Sequence, residues 1–349
     1  MKKLFIYFLL LVFSGAAWLG WSVFVSTTAF EEKTKFFVIE AGETDKEQVL
    51  NTLKKKYIIK STAAFSIIGD QMHIWNHIMP GKYEVNRGEN LLNIARKLKY
   101  DRQAQINLVI NKLRIKEDLA RLISKNFEPD SVEVMNFLSS NDSLKDYHVD
   151  TNTVFTMILP DTYKFYWNVS LRKIFNRLND AKINYWNAVR TDKAQSVNFT
   201  PEQAYILASI VEEETNKDDD RAKIASVYMN RLNRNMPLQA CPTIKYAMKD
   251  FTLTRIYDKY LSNPSLYNTY RHNGLPPGPI CTPAPKTIDI VLNAPKTDYL
   301  FFVAKADFSG YHHFSNNFQE HSTYAKAYQK ALDIWMAKKQ QKEESQDLP

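Results

Sequence analysis

The chain has 349 residues, 44% hydrophobic and 24% charged, which leaves room for two or three packed domains and excludes a disordered chain. A formal net charge of +8 and a sequence pI near 9.1 suit an anionic partner, a polymer or a membrane surface. No basic run with interleaved aromatics, no zinc-finger spacing and no glycine-rich nucleotide loop accompanies that charge, so nucleic acid is excluded as a partner and no cofactor is expected.

Met1-Lys2-Lys3 precede an uncharged stretch from Leu4 to Ser26, and these 23 residues, at about 1.5 Å rise each, are long enough to cross a hydrocarbon core of about 30 Å. The pattern predicts an uncleaved transmembrane anchor over residues 4–26. A signal peptide would have an apolar region of only about 7 to 15 residues and a small-x-small cleavage site. With Lys2 and Lys3 in the cytoplasm and Trp18 and Trp21 toward the far interface, the chain after residue 27 is expected outside the cytoplasm, on a single-pass plasma (inner) membrane protein.

Residues 27–103 read as a small α+β module. Phe36 to Ile39 is a short strand, followed by Glu40-Ala41-Gly42-Glu43-Thr44 and a helix to about Tyr57. The arrangement recurs in Gly81 to Val85, a turn at Gly88-Glu89, and the helical run Leu91 to Leu98. Residues 104–197 form a central region expected to be largely helical. It holds a strand at Ile106 to Ile110, a helix at Lys116 to Asn126 and a loop at Ser139 to Ser143, and no glycine occurs between Gly88 and Gly274.

A further domain is expected over residues 198–330. Thr200 suits an N-cap, Pro201 the first helical position and Gln203 a capping box, which fixes the phase of the following helix. A second helix starts at Asp218 to Asp220, with Ile224, Val227, Tyr228 and Leu232 at helical spacing. Residues 331–349 read as the end of an amphipathic helix followed by a polar tail, frayed from Lys338. The fold class is α+β.

On the helix that Thr200 starts, Glu214 lies roughly 20° from Leu207, about 40° from Ile210 and about 60° from Val211, within an apolar stripe, while Glu212 and Glu213 point to other faces. A carboxyl group held against aliphatic side chains and near other acids has a raised pKa, so Glu214 is the candidate proton donor. The alternative is a solvated cluster of acids at a helix end, although the macrodipole disfavours negative charge there. Glu212 is the candidate second acid, with Asp218 to Asp220 read as helix-capping.

Several separated blocks resemble the endolytic murein transglycosylase family, the MltG or YceG-like enzymes. They are Ala208-Ser209-Ile210-Val211-Glu212-Glu213-Glu214-Thr215, Ala225 to Leu232, Leu238-Gln239 with Pro242-Thr243, Tyr267-Asn268-Thr269-Tyr270, Gly274 to Ile280, and His312, Phe314, Asn317 and His321. Leu159-Pro160-Asp161-Thr162-Tyr163 is similar to the family's domain junction, and residues 83–98 resemble a LysM peptidoglycan-binding motif, which a structural spacer would match equally well.

The resemblance implies a mixed α+β lytic-transglycosylase domain with Glu214 as catalytic acid. It further implies cleavage of the β-1,4 bond between N-acetylmuramic acid and N-acetylglucosamine in nascent peptidoglycan glycan strands with a 1,6-anhydro end, terminating their elongation. Cooperation with peptidoglycan synthases such as penicillin-binding proteins is also implied. Gln239, Thr243, Asn268 and Tyr270 would surround the sugar. Where the family has Asp and a small residue, this chain has Cys241 and Cys281, and a disulfide between them is the expectation, with two buried thiols or a pairing with a different chain as the alternatives. His312, His313 and His321 match no strong zinc spacing, so no metal is expected. A non-catalytic wall-binding scaffold and a lysozyme-like hydrolase are the competing readings.

Overall fold

The computed structural model describes residues 28–346, with side chains to Lys338, besides the isolated positions Tyr7 and Ser14. Apart from those two positions, the anchor expected over 4–26 lies outside the described residues, among which no helix is long and apolar enough to cross a membrane. Two compact units are formed. The first takes the chain up to Leu108 with Ile123–Asp130 and Tyr163–Ser170; the second takes Val109–Leu122, Ser131–Thr162 and the chain from Leu171. The central stretch 104–197 is therefore not a body of its own, because its segments are divided between the two units.

In the first unit, β1 (Thr34–Ile39), α1 (Lys46–Lys55), α2 (Thr62–Met72), β2 (Gly81–Asn86) and α3 (Leu91–Lys99) follow one another. β1 and β2 pair antiparallel with Phe37 opposite Tyr83. Alternation buries Phe37, Ile39, Tyr83 and Val85, and the rings of Phe37 and Tyr83 stack at 5.6 Å. Asp45 and Asn90 cap α1 and α3 by accepting the amides of Gln48 and Asn93. The two strand-turn-helix units expected from sequence are present, with α2 as an additional helix that brings Ala64, Phe65 and Ile68 into the same core.

β3 (Gln105–Ile110) is followed by α4 (Lys116–Asn126), α5 (Ser131–Leu138), the short α6 (Asn141–Leu144) and β4 (Asp161–Tyr166), which pairs with β3. The expected loop at Ser139 to Ser143 is mostly the start of α6, because Ser140 caps that helix by accepting the amide of Ser143.

The second unit continues with α7 (Leu171–Tyr185), α8 (Ala188–Ser196), α9 (Pro201–Glu214), α10 (Asp218–Asn233), α11 (Cys241–Met248), α12 (Asp258–Leu261) and α13 (Pro285–Leu292). The hairpin β5 (Phe301–Ala304) and β6 (His312–Ser315) and the helix α14 (Phe318–Gln346) complete it. α9 opens with the expected capping box between Thr200 and Gln203 and with Pro201 in its first turn.

Every residue of α9 from Ala204 to Glu212 is buried, so α9 is a central helix rather than one with a single apolar stripe. α8, α10, α11 and α13 pack around it. α14 also differs from expectation: it begins at Phe318 and continues through the polar tail to Gln346. Its Lys, Gln and Glu residues are good helix formers, which favours that extension.

Candidate active site

α9 ends at Glu214, where Thr215 turns to an extended conformation. The three terminal carboxylates have three environments. Glu212 is buried and accepts from Arg221 Nη2 at 3.1 Å and from the Thr287 hydroxyl, with Lys112 Nζ at 3.6 Å. Glu213 meets Arg114 Nη2 at 2.9 Å and Lys112 Nζ at 3.2 Å. Glu214, half-buried, accepts one hydrogen bond, from the Tyr228 hydroxyl to Oε1 at 2.6 Å.

Lys112 and Arg114 lie in the connection between β3 and α4, and Arg221 on the first turns of α10. These cations account for acids placed at the negative end of a helix dipole.

The electrostatic consequence separates neighbours. Burial raises the pKa of Glu213, but the Arg114 hydrogen bond and the charges of Lys112 and Arg114 outweigh it, holding the group below its ordinary value. Burial pushes Glu214 up to about 7; the Tyr228 hydrogen bond and Lys245 oppose this rise, and the Glu213 charge adds to it. Glu214 therefore exchanges a proton near neutral pH beside the Glu213 carboxylate, which stays ionised, as general acid–base work requires.

Tyr228 is buried on α10, its ring edge-on to Phe302 at 5.8 Å, so its hydroxyl is fixed in place. Burial and the adjacent Glu214 raise its pKa well above the ordinary value, keeping it a donor. Two residues further on, Asn230 Nδ2 donates to the carbonyls of Thr297 and Tyr299. Arg231 donates to those of Leu300, Pro237 and Leu238. This part of the block Ala225 to Leu232 thus ties α10 to β5 and to the loop before α11.

The structure divides the four expected sugar contacts into two pairs. Gln239 is exposed, with φ +53°, and the Tyr270 hydroxyl lies 3.2 Å from Cys241 Sγ. Both are accessible to a ligand. Thr243 is fully buried, donating to the Ala240 carbonyl and meeting the Thr269 hydroxyl at 2.9 Å. Asn268 is also fully buried, donating to the carbonyls of Leu261 and Asn263 and accepting the Tyr270 amide. Thr243 and Asn268 hold the loop that presents Tyr270.

The expected disulfide is not formed. Cys241 is exposed beside Tyr270, whereas Cys281 is buried with its Sγ 3.4 Å from the Ser209 carbonyl, so each thiol has a separate partner. The histidines are also separated: His312 Nδ1 meets Asp220 at 2.8 Å, His313 stacks on Tyr324 and His321 on Phe301. In the loop before Cys281, a Cβ on Gly278 would collide with the Asn152 carbonyl, so close approach requires glycine there.

A small cavity of about 90 Å³ lies beside Glu213, lined by Arg114, Pro242, Lys245, Phe251 and Ile280. Tyr228, Lys245, Lys112 and Arg114 are site residues that sequence reading missed. For Tyr228 a signal existed, since it follows Glu214 by 14 residues on the next helix. Lys112 and Arg114 are about a hundred positions away, where no local pattern reaches.

The sequence profile of the YceG-like family matches residues 37–327. The endolytic murein transglycosylase of Bacillus subtilis (strain 168) is 29% identical over 331 residues, covering 89% of this chain and 89% of that one. The protein of the same description from Streptococcus pneumoniae (serotype 2, strain D39) is 32% identical over 174 residues, 47% of this chain and 30% of that one. A crystal structure of a putative YceG-like protein from Listeria monocytogenes superposes with a TM-score of 0.56 at 26% identity, covering 84% of this chain and 99% of that chain.

Proposed function

The chain belongs to the YceG-like family, and on that premise we propose that it is a membrane-anchored endolytic murein lytic transglycosylase with Glu214 as its acid and base. The observation that carries this reading is the pKa of Glu214, raised by burial to about 7, on a carboxyl group oriented by Tyr228.

Neutral Glu214 donates its proton to the glycosidic oxygen between N-acetylmuramic acid and N-acetylglucosamine. The resulting carboxylate keeps the Tyr228 hydrogen bond and takes the proton of the muramyl C6 hydroxyl as that oxygen attacks C1. One strand leaves with a free sugar hydroxyl and the other ends in a 1,6-anhydro ring, with no water consumed. The nucleophile belongs to the substrate, so effective molarity takes the place of a second carboxylate. A hydrolase would need that second group about 5 to 9.5 Å away. The nearest in sequence, Glu212 and Glu213, are each engaged by cations and so are not free to activate a water.

Residues 4–26 would hold this chemistry at the outer face of the plasma membrane, where nascent strands leave peptidoglycan synthases, and the β2-turn-α3 segment is the candidate glycan-holding element.

The test is mass spectrometry of muropeptides after the full chain, in detergent, digests purified glycan strands, with Glu214→Gln alongside. Internal fragments ending in 1,6-anhydromuramic acid from the wild type alone are expected. Reducing ends formed by water would indicate a hydrolase, and binding without cleavage a scaffold.

A further inference from the structure

The second unit contains another, larger cavity of about 380 Å³ that takes no part in the proton transfer above. Its lining follows on in sequence from that of the small cavity beside Glu213 at three places. Arg114, Lys245 and Ile280 line the small cavity, and their sequence neighbours Ile115, Tyr246 and Pro279 line the large one. These shared chain segments make the larger cavity the candidate receiver of a side branch on a substrate at the end of α9.

The lining has the chemistry of an amino-acid chain rather than of a sugar alone. Tyr246 and Tyr267 form an aromatic wall, with ring centroids 4.6 Å apart, and Phe155 adds an apolar surface. Lys116 is half-buried and, among the described residues, has no carboxylate within ion-pair distance. Lys249 has one, Glu117, at a loose 3.9 Å. Burial lowers the Lys116 ammonium below its ordinary range, against the attraction of Glu117 and Asp150 and with the repulsion of Lys249. The cavity lining holds two ammonium groups and one carboxylate, the loosely held Glu117, with Asp150 acting on Lys116 from outside the lining, so the lining itself favours anions.

We propose that this cavity binds the peptide stem carried by the muramyl sugar, with Lys116 and Lys249 holding its carboxylates, Glu117 its ammonium group and Tyr246 and Tyr267 its aliphatic side chains. The identity of the branch rests on the transglycosylase reading. A stem of about five residues at roughly 3.3 to 3.6 Å each reaches about 17 Å when extended.

The experiment has two arms, both on the full chain in detergent. In the first, the synthetic pentapeptide Ala-γ-D-Glu-Lys-D-Ala-D-Ala and the same peptide with its carboxylates amidated are titrated calorimetrically. The free acid should bind, amidation should weaken it at least about fivefold, and Lys116→Ala with Lys249→Ala should weaken it about tenfold while Glu214→Gln leaves it unchanged. Absent binding, or binding indifferent to amidation or to the lysines, overturns the proposal.

In the second arm, stem-bearing and stem-free glycan strands are digested. The wild type should prefer the stem-bearing strand about tenfold in kcat/KM, and the double lysine variant should lose that preference while cleaving stem-free strands as before. Equal cleavage of both strands by the wild type, or an equal loss on both in the variant, overturns the stem assignment. Absent cleavage of either strand by the wild type would instead count against the transglycosylase reading, with the peptide titration still deciding the cavity. Circular dichroism of the lysine variant should match the wild type, so that lost binding is not lost folding.

Discussion

Glu213 and Glu214 are consecutive residues whose carboxyl groups are driven in opposite directions, the first below its ordinary pKa by Arg114 and Lys112 and the second up to about 7 by burial. The helix end separates them: one faces two cations, the other faces Tyr228. A charge that stays on Glu213 at neutral pH also helps to keep the proton on Glu214.

The first prediction concerns stability. Glu214 has its folded value near 7 against an ordinary 4.5, so between these pH values the folded protein holds a proton that the unfolded chain releases. Stability from this group is complete below pH 4.5 and is lost as pH rises through 7, a difference worth up to about 3 kcal/mol. Glu214→Gln, which never carries the buried charge, should be more stable than wild type at pH 8 and nearly equal to it at pH 5. Thermal unfolding at both pH values measures this, and an equal Tm at pH 8 would sink the assignment.

Tyr228→Phe removes the hydrogen bond that lowers the Glu214 pKa, so the alkaline limb of kcat/KM should move to higher pH. The carboxyl group also loses the one oriented donor it has among the described residues, and the rate at the new optimum should fall about 10- to 100-fold. A pH profile separates the two effects. An unshifted limb would mean that Tyr228 only packs.

Glu213→Gln acts in the other direction. It removes a charge that raises the Glu214 pKa, so the alkaline limb should move down. It also leaves Arg114 and Lys112 short of a partner, at a cost of about 1 to 3 kcal/mol measured in denaturant at neutral pH. Because the Glu213 pKa is depressed, its stabilising contribution is present above the ordinary value of 4.5 and disappears as pH falls through its folded value.

Glu212 provides the contrast. It is buried against Arg221 and Thr287, and Glu212→Ala leaves Arg221 with only Asp218 and the Thr215 carbonyl among the described residues, which should cost about 1 to 3 kcal/mol. If the variant retains enough folded protein to assay, its product should still carry anhydro ends. Loss of anhydro ends with folding intact would make Glu212 a participant.

The α9 capping box and the raised pKa of Glu214 were legible because both depend on local signals, an N-cap pair and a helical phase set by it. The burial of α9 on every side was not, because the covering surfaces come from α8, α10, α11 and α13 and leave no periodic trace in α9 itself. Thr243 and Asn268 were legible as members of a site but not in their role. A buried amide that organises a loop and an exposed one that binds a sugar have the same sequence signature, and only their hydrogen bonds distinguish them. The disulfide expectation failed for a related reason: two cysteines near one cleft say nothing about which way each thiol points.

The two thiols supply the last prediction, one that reads the charge on Glu214 without any substrate. Cys241 is exposed and Cys281 buried, so iodoacetamide applied to the folded protein should label Cys241 alone, and unreduced peptides should show both cysteines unpaired. Burial raises the Cys241 pKa; its hydrogen bond with Tyr270 lowers it, and the Glu214 charge raises it. At pH 8, above the Glu214 value of about 7, that charge is present, and Glu214→Gln should lower the Cys241 pKa and speed its labelling. At pH 5.5 Glu214 is already neutral, so the wild type and the variant should label at the same rate. A variant that labels no faster at pH 8 would mean that the Glu214 charge does not act on Cys241, and absent labelling that returns on reduction would restore the disulfide.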